Sequence, residues 1–85
     1  MQTYYIDNTS GSIRNLLLIQ KYLSSGALEV VDFDLTAPLP WFTGTKETAE
    51  SLVDFLATQT SDSIYIYDDE ANIIASTRKT GTDKI

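Results

Sequence analysis

The chain has 85 residues, 12 Asp and Glu against 6 Lys and Arg for a net charge of −6, and neither Cys nor His. At this length one domain with one binding surface is the expectation, and the acidic balance works against binding a phosphate backbone. Without Cys and His there are no disulfides, thiolate nucleophiles, Cys-based zinc sites or Ser and Cys triads of the usual kind, which leaves carboxylates, Lys, Tyr and hydroxyls for chemistry.

In chain order, "QTYYID" (2–7) reads as a strand, and "SIRNLLLIQKYL" (12–23) as a helix with Leu16, Ile19 and Leu23 on one stripe that Leu17 and Leu18 widen. That width predicts cover on more than one side. Gly26 in "SSGA" is placed to stop the helix. "LEVVDFDL" alternates Val31, Phe33 and Leu35 with Asp32 and Asp34, so a strand with one wet face is predicted near 28–34, most simply parallel to the first. "TAPLPWFTGT" reads as a loop held open by Pro38 and Pro40. "KETAESLVDFLATQ" (46–59) gathers Ala49, Leu52, Val53 and Leu56 on one face, with Thr45 as N-cap and Glu47 favourable in the first turn. Residues 63–68 and 72–77 read as a hairpin around "DDEAN", a solvated turn, and 78–85 as a loose tail after a single domain over 1–77.

This order, with "DNTSGSIRNLLLIQKYL" after the first strand, "LEVVDFDL" ending in acid and "ETAESLVDFLATQTSDSIYIYDDEANIIAS" closing the chain, resembles the thioredoxin and glutaredoxin superfamily. The resemblance implies an α/β domain of βαβ-α-ββ order, with a mixed four-stranded sheet and two helices. It also implies a redox-dead scaffold: Thr9, Ser10, Gly11 and Ser12 stand where the family places Cys-x-x-Cys, and Asp62 and Ser63 stand where it places a cis-proline. No cofactor is expected.

Two stretches are candidate sites. Thr9, Ser10, Gly11 and Ser12 precede a helix and resemble the phosphate loops of flavodoxins, an anion-binding reading set against simple helix capping. Leu39, Trp41 and Phe42, with the acidic flank Asp32 and Asp34, form a candidate partner-binding set, because aromatics in rigid loops make hot spots. Adjacent extended residues point to opposite sides, and because the indole donor is easier to satisfy at a wet rim, Trp41 is expected outward and Phe42 inward. The tyrosines at 4, 5, 22, 65 and 67 read as packing with polar tips at the rim.

Three functions stay open at this point. The first is a non-catalytic protein-binding regulator or inhibitor, suited to a phage, with another protein as partner and a homodimer as a further option. The second is an acidic DNA-mimic decoy of a nucleic-acid-binding protein, supported by charge. The third is a small phosphate- or nucleotide-binding protein using the 8–12 loop. No apolar run approaches the ~20 residues of a membrane span and "MQTYYID" does not read as a signal peptide, so neither membrane nor direct nucleic-acid contact is expected and a cytoplasmic location is.

Overall fold

The computed structural model describes residues 1–25 and 30–78. Its elements run β1 (Gln2–Asn8), α1 (Ile13–Leu23), β2 (Val30–Asp34), β3 (Trp41–Gly44), α2 (Lys46–Gln59), β4 (Ile64–Tyr67) and β5 (Ile73–Ser76). Five strands form one sheet in the order β2-β3-β1-β4-β5, and every neighbouring pair is antiparallel. The expected mixed sheet of four strands is thereby corrected to an antiparallel sheet of five. The added strand is β3, "WFTG", which in sequence reads as the end of the proline loop. It doubles back from β2 after residues 35–40 and enters between β2 and β1, so β2 keeps the direction of β1 without touching it.

Each helix therefore crosses over one intervening strand, α1 between β1 and β2 and α2 between β3 and β4, giving the β-α-β-β-α-β connectivity of two interleaved split β-α-β units with β5 added at an edge. Local signals account for the helices. Ser12 caps α1 by accepting from the Asn15 amide at 3.4 Å, and Thr45 caps α2 by accepting from that of Thr48 at 3.1 Å. The stop expected at Gly26 lies outside the described residues, as do residues 28 and 29 of the predicted second strand and residues 79–85 of the predicted tail; Ser24 is the C-cap of α1. Arg78 is held in the fold by a 2.8 Å hydrogen bond from Nη1 to the Ser63 hydroxyl.

Both helices place their buried residues, Ile19 and Leu23 from α1 and Ala49, Leu52, Val53 and Leu56 from α2, in one core with Tyr4, Ile6, Phe42, Ile64 and Ile66. They consequently lie on the same face of the sheet. Tyr22 and Phe55 stack between the helices with ring centroids 4.4 Å apart. The wide apolar stripe of α1 is covered in part: Leu16, Leu18 and Tyr22 pack against the core beside Ile19 and Leu23, while Ile13 is 72% and Leu17 58% exposed.

Candidate functional site

Side chains alternate along a strand. Tyr4, Ile6, Phe42, Ile64 and Ile66 point into the helices, and Tyr5, Asp7, Trp41, Thr43, Tyr65 and Tyr67 stand on the opposite face, each half-buried. No helix of the described residues packs on that face.

Register organises it. Asp34 is opposite Trp41, Trp41 opposite Tyr5, Tyr5 opposite Tyr67 and Tyr67 opposite Ile73, so one row of side chains crosses all five strands. Three adjacent members are aromatic, and neighbouring strands lie roughly 4.8 Å apart, which makes a row ~19 Å long. Beside it an open groove of about 430 Å³ is lined by Tyr5, Asp7, Leu39, Tyr67, Asp68 and Asp69, with Ala71 at its turn end. Leu39, 52% exposed, reaches this groove from the loop before β3.

Charge is divided between the two sides. The helices balance Arg14, Lys21 and Lys46 against Glu47, Glu50 and Asp54. None of the five strands carries Lys or Arg, while Asp7, Asp32 and Asp34 lie on strands and Asp68, Asp69 and Glu70 follow β4. Among the described residues the negative excess therefore lies with the sheet and its last turn. Asp34 is held below the usual carboxylate range, first by the Thr36 hydroxyl at 2.7 Å and then by the Thr36 amide at 2.9 Å. Asp68 is likewise lowered by backbone donors, the amide of Asn72 foremost, and it ties the turn through the Glu70 and Asn72 amides, both at 2.9 Å.

The 8–12 loop is built differently. Gly11 takes φ +70, a left-handed turn conformation that suits glycine, and donates its amide to the Asn8 carbonyl at 2.9 Å. The hydroxyls are engaged within the chain. Thr9 donates to the Ser63 carbonyl at 2.6 Å, Ser10 donates to Asp62 Oδ2 at 3.0 Å, and Ser12 caps the helix. At the centre Asn15, 2% exposed, donates from Nδ2 to Asp62 Oδ2 at 2.9 Å and to Asn8 Oδ1 at 3.1 Å. The carboxylate of Asp62 thus takes the donors that an external anion would need, and the loop joins the start of α1 to the start of β4.

Asp62 is held below its ordinary pKa by the hydrogen bonds of Asn15, first, and of Ser10. A carboxyl lowered on folding contributes stability above the unfolded value and loses it as pH falls through the folded value. Melting temperature followed from about pH 6 down to about pH 2 should therefore fall for the native chain, with a shallower slope in Asp62→Asn. An unchanged slope would contradict this coupling.

Of the residues singled out from sequence, Trp41, Asp32, Asp34 and Leu39 lie on or beside the open face, and Phe42 does not. Phe42 is fully buried, because alternation turns it into the core between Tyr4 and Phe33, its register partners. Tyr5, Tyr65 and Tyr67 are the functional candidates that sequence reasoning treated as packing; the signal was their period-2 spacing opposite Ile6, Ile64 and Ile66. No helix among the described residues is long and apolar enough to cross a membrane. Comparison with protein-family models, with curated proteins and with solved structures finds no match to this chain.

Proposed function

We propose that this is a non-catalytic protein-binding domain, a regulator or inhibitor that docks on another protein through its open sheet face. The observation that carries the reading is the row Asp34, Trp41, Tyr5, Tyr67 and Ile73 on the face away from the helices. Aromatic side chains held by strand pairing need little ordering to bind and are the residue types that dominate interfaces. An aromatic open sheet is also a surface on which nucleic acid bases stack. Here the sign of charge opposes it: the carboxylates around the row would repel phosphates, and no strand supplies a cation.

A second reading, the acidic decoy of a nucleic-acid-binding protein, is favoured by the same one-sided charge. Capture of partners from a host lysate on immobilised protein, repeated at rising salt, separates the two. A partner retained by the aromatic row should lose no more than about tenfold in affinity, whereas one held by carboxylates alone should wash off as the screening length shortens from about 10 Å at 0.1 M to about 3 Å at 1 M. The third reading, a phosphate or nucleotide on the 8–12 loop, has the least support, since Ser10 and Ser12 are already bonded within the chain.

A further inference from the structure

We propose that the open sheet face receives an arginine-bearing extended segment of the partner protein, a statement that rests on the reading of this face as the docking surface. Charge complementarity and geometry together select this occupant. The row pairs each end of its aromatic run with acid: Asp34 is the register neighbour of Trp41, and Asp7, Asp68 and Asp69 line the groove with Tyr5 and Tyr67. A planar cation that stacks on a ring and pairs with a carboxylate at its edge satisfies both groups at once, and guanidinium is the side chain of that shape. Lysine offers a more strongly hydrated point charge with no plane to stack. The row is ~19 Å long, which an extended stretch of about six residues spans, with alternate side chains facing the sheet.

Other occupants fit less well. A second copy of the chain, face to face, would bring Asp7, Asp34, Asp68 and Asp69 against their own counterparts with no strand cation between them. Single-stranded nucleic acid would match the rings and clash with the carboxylates.

Trp41 is the one tryptophan in the chain, so its emission reports on this face directly. The full chain is titrated with a synthetic peptide of about eight residues carrying arginine at alternate positions, with its lysine counterpart, and with an oligothymidylate. The arginine peptide should shift Trp41 emission saturably, with binding weakened about tenfold between low and high salt. The lysine peptide should bind about fivefold more weakly or worse. Asp7→Asn and Asp34→Asn should each weaken the arginine peptide while thermal melting confirms that the domain remains folded.

An emission change with oligothymidylate in place of the arginine peptide, equal response to the two peptides, or emission that changes with protein concentration alone would each overturn the proposal. An arginine peptide without effect on a chain whose cellular partner is still lost on Trp41→Ala would refute the occupant and keep the face. Loss of neither would refute both.

Discussion

Phe42→Ala is expected to destabilise the domain by ~3–5 kcal/mol, the cost of emptying a fully packed aromatic site. Phe42 has no exposed surface, tilts against Tyr4 with ring centroids 5.5 Å apart and faces Phe33 on the other side. It therefore links β2, β3 and β1 through one side chain, and these strands cannot close over the space without losing register. Small domains have roughly 5–15 kcal/mol in total, so this one change removes a large share and should lower the melting temperature by about 15 °C or more. Urea unfolding measures it; a loss below about 1 kcal/mol would mean that Phe42 is not in the core. Trp41→Ala, one residue away and on the opposite face, is the matched comparison and should cost the free domain much less.

Asn15→Ala should cost ~2–3 kcal/mol through polar chemistry rather than volume. The buried Asn15 amide satisfies Asp62 Oδ2 and Asn8 Oδ1 together, and without it the half-buried carboxylate of Asp62 loses its 2.9 Å donor. Asn15→Asp keeps the shape and reverses the sign: two carboxylates would then share the 2.9 Å contact, and their repulsion raises the pKa of the pair. A pair whose pKa is raised on folding contributes stability at low pH and loses it as pH rises. Asn15→Asp should therefore gain stability on moderate acidification where the native chain loses it. Parallel pH dependence of the two proteins, followed by thermal melting, would contradict the role given to this pair.

What the sequence made legible divides along the range of the interactions. Helix Lys46–Gln59 is read at its observed bounds because its signals are local: the Thr45 cap and apolar residues at 49, 52, 53 and 56. Strand β3 escaped because four residues between Pro40 and Thr45 are too few to show alternation, although Trp, Phe and Thr are all strand formers. That Trp41 and Phe42 face opposite sides follows from their being neighbours in extended chain, and the indole donor, easier to satisfy at a wet rim, selects Phe42 as the inward one.

The aromatic row does need it. Tyr5, Trp41 and Tyr67 are far apart in sequence and meet only because β3 and β4 flank β1 in one particular register, which hydrophobic pattern alone does not set when strands may pair in several orders. The 8–12 loop shows the same division. Its capping serine was visible, but its acidic occupant comes from Asp62, 47 positions beyond Asn15.

The central claim is that the open face of the sheet, rather than the exposed side of α1, is where this domain meets its partner. Partner capture by the native chain, by Trp41→Ala and by Leu17→Ala, compared at one salt concentration, decides between these surfaces. Leu17, 58% exposed in the middle of α1, is the comparison because, with Ile13 one turn before it, it forms the apolar surface that a helix-face partner would cover. The account predicts that Trp41→Ala weakens binding by ~2 kcal/mol or more, about thirtyfold, and that Leu17→Ala leaves it within a factor of about two. Binding lost with Leu17→Ala and indifferent to Trp41→Ala would contradict it.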